Sequence, residues 1–462
     1  MMYDPKTYVG LTFAGARRDF ASGADTPRAY LERCLETIEA REPEIQAFAA
    51  LNHAGARAAA DAADARWRAG APRSSIDGCP VGIKDLLETK DMPTQMGCEA
   101  YADNFPVRDN AAVWALREAG AVIVGKTVTA ELGGSHPGPT TNPFNAAHTP
   151  GGSSSGSAAA VAAGMVPAAI GTQVGGSIIR PAAYCGNFAL KPTQGGINRG
   201  ERQATSMSTH GVHANCLDDV WQLSIEIAKR VGGDRGSRGL MGPDELPPAK
   251  RPTRLIVLET QGWSEIDETS RNALRSLVGQ LEAAGIQILR RDNHPLVEQL
   301  EQAVSDARDT CNLITSWENR WAQRNLVDAH PDGVSERAKR VLARAESRTL
   351  DDYRAALIRR DLAQRCHAEL ASLADAALTL SCPGPAPRWP GDQPGEPLAP
   401  RPTGDPVFNF PSSMLFAPAV TMPLLAVNGL PLGAQVVGQP HQDADMCAIA
   451  RWLIENLAPV SM

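Results

Sequence analysis

Short apolar runs of strand length alternate with helical patterns along much of this 462-residue chain, and that alternation restricts its fold more than any other feature. Segments 80–83, 121–124, 166–170, 255–258, 287–289 and 377–380 read as buried strands. Thr26-Pro27, an N-cap followed by proline at the first helical position, opens a helix through about residue 40. Further helices are expected over 61–68, 112–119, 268–284 and 444–457. Segment 421–438 reads as two apolar stretches around Asn428-Gly429, a hairpin signal. Strands alternating with helices must be covered on both faces. The expected class is α/β, a large mixed, mostly parallel β-sheet with helices on either side.

Composition narrows the partners. A formal net charge of -7, with no basic run to reverse it locally, argues against nucleic acid or an anionic membrane. The apolar window 158–170 is interrupted by Pro167 and falls short of the roughly 20 residues a membrane span needs. The amino terminus lacks the basic and apolar regions of a secretion signal. Nine cysteines without C-x-x-C spacing suit reduced thiols, so a cytoplasmic location is expected. Nine histidines form no ligand-spaced pair, and neither a metal nor another cofactor is expected.

Motifs compete for the chemistry. Gly120 to Thr127 matches the phosphate-binding pattern G-x-x-x-x-G-K-[ST] letter for letter. Its physics fails, because residues 121–124 are strand-forming where an open loop of N–H groups is needed. The expectation is that Gly120 ends a helix and that Lys126-Thr127 begins a loop. Gly152-Ser153-Ser154-Ser155-Gly156 matches a nucleophile elbow with Ser154 at its centre, but a loop precedes it where an elbow requires a strand. His367 and His441 are available partners that nothing singles out.

A third reading needs no histidine. Lys84 directly follows a short apolar strand, and burial lowers a lysine pKa toward that of a general base. Downstream, Gly175-Gly176-Ser177 allows the backbone N–H groups of Val174, Gly175, Gly176 and Ser177 to converge without side-chain hindrance, an oxyanion-hole composition.

These segments, with Cys185-Gly-Asn-Phe-Ala-Leu-Lys191-Pro-Thr193, resemble the amidase signature family. The similarity is dense over 78–193 and returns at 429–438. The resemblance implies Ser177 as nucleophile, Lys84 as ultimate base, and Ser153, after a cis peptide bond that Gly152 permits, as the bridge between them. Ser154 is expected to support Lys84, with Ser155 and Ser157 capping or bracing. The resemblance also implies one domain over 1–462: an N-terminal helical region at 1–70, the signature core at 71–200, and a variable cover over the pocket at 295–404. Its Trp317, Trp321 and Trp389 either line that pocket or pack within the cover. The partner implied is a small-molecule amide, with a homodimer left open.

Gln173 stands where most members carry aspartate, and Arg180 lies one position later than usual. With His-Pro-Gly at 136–138, this is similar to the branch that includes malonamidases and biuret hydrolases. Arg180 and Gln173 are therefore candidate substrate-binding residues: Arg180 either reads a substrate carboxylate or supports the loop while the pocket takes neutral amides, ureas or carbamates. The A subunit of the tRNA-dependent amidotransferases shares the signature and is a further alternative.

Overall fold

Every apolar run expected as a strand enters one 12-stranded sheet. The computed structural model describes residues 2–134, 136–201, 205–393 and 395–462. Its strands are β1 Phe48–Leu51, β2 Pro80–Lys84, β3 Val122–Thr127, β4 Ala168–Gln173, β5 Phe188–Lys191, β6 Thr209–Ala214, β7 Arg254–Val257, β8 Gln287–Leu289, β9 Ala376–Leu380, β10 Ala419–Val427, β11 Leu430–Val437 and β12 Val460–Ser461. The order is β1-β3-β2-β4-β6-β5-β10-β11-β9-β7-β8, with β12 beside β10. The sheet is mixed. Parallel blocks β3-β2-β4 and β9-β7-β8 flank a centre in which β4, β6, β5, β10, β11 and β9 pair antiparallel.

Strand period places the two cores. Along β4, Ala168 and Ile170 join one hydrophobic cluster while Ala169, between them, joins another on the opposite face. The hairpin forms at Asn428-Gly429, both with positive φ, as a two-residue turn requires. Thr26 caps helix Pro27–Ile45 by accepting from the Ala29 amide, and Asn52 caps His53–Arg68 by accepting from Gly55. The alanine run after the serines is helix Ser155–Ala162, buried along its whole length. Residues 295–375 form the expected polar helices, and no helix among the described residues is long and apolar enough to cross a membrane.

Two elements differ from expectation. β4 begins after Pro167 and runs on to Gln173, because proline offers no N–H to the ladder. β3 continues through Lys126 and Thr127 and does not open into a loop there, because both side chains are buried and partnered. Lys126 Nζ lies 3.0 Å from Asp85 and donates to Thr94 Oγ1 at 2.7 Å, and Thr127 Oγ1 lies 2.7 Å from Ser157 Oγ. The phosphate-loop pattern is therefore a strand whose lysine neutralises a buried carboxylate.

That pair pins the end of β2, where Lys84 sits beside Asp85. Removing one partner leaves the other charged in the interior, so Lys126→Ala should destabilise the protein by about 3–5 kcal/mol. The double change Asp85→Asn with Lys126→Met should recover most of this loss, as measured by urea unfolding.

Candidate active site

Lys84 is the last residue of β2, and its side chain is fully buried. Its Nζ lies 2.8 Å from Ser153 Oγ, 2.9 Å from Thr172 Oγ1 and 3.3 Å from the Thr172 carbonyl oxygen. No carboxylate among the described residues pairs with it. Burial, with a smaller contribution from the charge of Arg180, pushes its pKa well below the ordinary lysine value. A neutral amine has two hydrogens and one lone pair. The Thr172 carbonyl can only accept and the Thr172 hydroxyl can accept the second hydrogen, which leaves the lone pair for the Ser153 hydroxyl.

The serine stretch divides by contact. The Gly152–Ser153 peptide bond is cis. Ser154 precedes helix Ser155–Ala162, accepting from the Thr172 amide and donating to the Thr172 carbonyl, each at 3.3 Å. Ser155 donates to the Val128 carbonyl and Ser157 to the Ile170 carbonyl. The Ser154 hydroxyl is thus committed to backbone groups, and a loop rather than a strand leads into it. The elbow reading fails on both points.

β4 delivers the second loop. A Cβ on Gly175 would lie 2.7 Å from the Phe410 ring, and one on Gly176 would lie 2.4 Å from Asn409 Oδ1, so only glycine fits at either position. Among the described residues, no acceptor takes the amide hydrogens of Val174, Gly175, Gly176 or Ser177. Ser177 is half-buried just before helix Ile179–Tyr184. Its hydroxyl makes no hydrogen bond to Ser153, which contacts Lys84 instead. Such contacts commonly tighten only when substrate is bound. Two contacts tie this loop to the cis peptide: Arg180 Nη2 donates to the Gly152 carbonyl at 2.6 Å, and a Cβ on Gly151 would lie 2.7 Å from Pro181 Cα.

Gln173, a candidate substrate-binding residue, makes its contacts here within the protein. Its Oε1 accepts from the amides of Ile178 and Ile179, at 2.8 and 3.0 Å, and its Nε2 donates to Ser413 Oγ, so the whole amide braces the loop from within. An aspartate could accept the same two N–H groups but could not donate to Ser413. Arg180 is 4 % exposed, and the nitrogen that holds Gly152 also donates to Thr403 Oγ1 at 3.1 Å. Thr403 thereby anchors the Pro/Gly-rich segment onto the cis loop. Sequence reasoning misses Thr172 and Thr403: Thr172 lies inside a motif whose glycines and serine carry the signal, and Thr403 lies far away in the chain. Trp317 stacks on Tyr353 within the cover, while Trp321 faces solvent.

A buried lysine without a carboxylate partner among the described residues thus touches one serine, beside a glycine loop with free amides that carries another, on a mixed α/β sheet. The sequence profile of the Amidase family matches residues 29–447, and the chain belongs to that family. The A subunit of the glutamyl-tRNA(Gln) amidotransferase from Chloroflexus aggregans is 32% identical over 474 residues, with 95% of each chain covered. Its counterpart of the same name from Roseiflexus castenholzii is 46% identical over 195 residues, 41% of this chain and 40% of that one. Among solved structures, one described as an amidase superposes with a TM-score of 0.83 at 27% identity, covering 97% of this chain and 100% of the other. A chain from a vestigial protein complex, described as revealing the origins of an s-triazine catabolic enzyme, shares the fold with a TM-score of 0.83 at 23% identity, covering 97% of this chain and 99% of the other.

Lys84 leaves a signature in stability. Unfolding restores an ordinary lysine, so below that lysine's pKa the unfolded chain binds one proton more than the folded one, and stability rises with pH. Relative to Lys84→Met, the wild type should gain up to about 1.4 kcal/mol per pH unit between the folded-state pKa of Lys84 and the unfolded value of about 10.4. Urea unfolding of both proteins across pH 6–10 checks this.

Proposed function

We propose that the protein is an amidohydrolase that cleaves a C–N bond of a small amide through an acyl-enzyme on Ser177. The observation that carries this reading is the 2.8 Å contact between Ser153 Oγ and the buried, uncharged-favoured amine of Lys84. Lys84 draws the Ser153 proton as Ser153 draws that of Ser177, and Ser177 Oγ bonds to the carbonyl carbon. The amides of Val174 to Ser177 are free to stabilise the oxyanion. The C–N bond then breaks as the nitrogen takes a proton from Ser153, and water cleaves the ester to release the acid. Residues 295–404 act as the cover, fixed to the site through Thr403.

For the substrate, the use of Arg180 Nη2 on Gly152 and Thr403 supports a neutral amide, urea or carbamate with Arg180 holding the cis loop, and the buried Nε, without a partner among the described residues, is the donor left for a carboxylate. Arg180→Ala should then lower kcat by about tenfold or more on neutral and carboxylated amides alike. A steep rise in KM confined to the carboxylated substrate would restore the carboxylate-reading role.

The name of the Chloroflexus relative favours a second reading, the A subunit of a tRNA-dependent amidotransferase. Ammonia release from free amides by the isolated chain separates the two. Ser177→Ala and Lys84→Ala should each cut amide turnover by about four orders of magnitude or more with the fold intact by circular dichroism. Near-normal turnover in either variant would overturn the mechanism.

A further inference from the structure

A cavity of about 530 Å³ lies against the lysine end of the site and includes neither Ser153 nor Ser177 in its lining. Its floor is Thr172 of β4 and its cross-strand partner His210. The alternate residues Gly171 and His213 face the other way, toward Ser154. The walls are apolar where Leu86, Leu87, Val231 and the half-exposed Trp114 contribute. The charges in the lining are paired: Arg108 with Glu88 and Glu201, Lys90 with Asp109, and Arg199 with Asp234. His210 is more than nine-tenths buried with no partner for Nδ1, and burial pushes its pKa down to about 3, so the imidazole is neutral. The chamber therefore suits an uncharged guest with an apolar body and one hydrogen-bonding atom.

The cavity meets the proton relay at two residues. One is Thr172, which holds Lys84 through its hydroxyl and carbonyl. The other is Leu86, whose Cδ1 lies 3.0 Å from where a Cβ on Gly133 would sit, a point 3.8 Å from Ser153 Oγ. In the acyl-enzyme reaction the departing nitrogen takes its proton from Ser153. Its substituent must then lie on the Ser153 side of the carbonyl carbon, away from the amides of residues 174–177, which is where Leu86 and Thr172 stand.

We propose that this cavity is the leaving-group site, and that it takes an uncharged N-substituent of at least one ring, so that the preferred substrate is an N-aryl or N-cycloalkyl amide or carbamate. This rests on the Ser177 reading. Leu86, which lines the cavity and reaches toward Ser153, is the side chain a substituent passes on the way in. As the C–N bond breaks, the nitrogen gains the proton relayed from Ser177 through Ser153, and the amine departs neutral into neutral surroundings.

The test compares acetamide with acetanilide, which share an acyl group, and follows aniline binding separately by calorimetry. Val231→Trp, which intrudes on the chamber, should lower kcat/KM for acetanilide by about tenfold or more, leave acetamide within twofold, and abolish aniline binding. Trp114→Ala, on an exposed position that leaves the fold undisturbed, should weaken aniline binding about fivefold. Equal losses on both substrates, an unchanged acetanilide rate in Val231→Trp, or no binding of aniline at millimolar concentration would each overturn the site. If aniline binds and Val231→Trp abolishes it while Ser177→Ala retains turnover, the leaving-group site stands and the Ser177 mechanism falls.

Discussion

The site depends on one constraint, a lysine taken out of water without a carboxylate beside it. An ammonium in that position carries a large desolvation cost, and a neutral amine does not. The neighbours of Lys84 match the neutral form: two acceptor positions on Thr172 and one hydroxyl on Ser153. The adjacent residue shows the opposite solution. Asp85, just past β2, is buried as well, and it faces Lys126 of β3 at 3.0 Å, which offsets part of the cost of burial. Two lysines in neighbouring strands, both buried, are thus held for different purposes, one for chemistry and one for the frame that positions it.

The glycines and serines around the lysine follow from close packing. Gly175 and Gly176 pass so near Phe410 and Asn409 that any side chain would displace the loop, and their amides meet no acceptor among the described residues. Gln173 and Arg180 hold the two ends of the arrangement, one gripping the start of helix Ile179–Tyr184 and the other gripping the Gly152 carbonyl. Gln173 also reaches Ser413 and Arg180 also reaches Thr403, so each ties a backbone segment to a distant side chain, while Arg180 Nε is buried without a partner among the described residues. Arg180 does more than brace, since its positive charge also disfavours protonation of Lys84.

Much of this is legible in the residues. The hairpin at Asn428-Gly429, the capped helix after Thr26, the strand ending at Lys84 and the glycine-bounded serine loops all follow from local rules. Four strands, β1, β5, β6 and β12, carry no such signal, because they are short or mix polar and small residues without a clear period, as in the THGVHA of β6. Without β5 and β6 the antiparallel centre of the sheet stays hidden, because those two strands turn the chain back between β4 and β10.

By itself, then, the sequence determined which residues are candidates for the chemistry: a lysine after an apolar strand, glycines before a serine, and a stretch that only small residues can pass through. Hydrophobic period and backbone conformational preference act over a few residues, so they can be read locally. The tertiary structure alone decided what each polar side chain faces. It turned Gln173 inward, spent Arg180 on the cis loop, matched Lys126 to Asp85, and set Thr172 and His210 side by side on a cavity floor. Those outcomes depend on contacts between residues tens to hundreds of positions apart, which the folded sheet creates and no local pattern encodes.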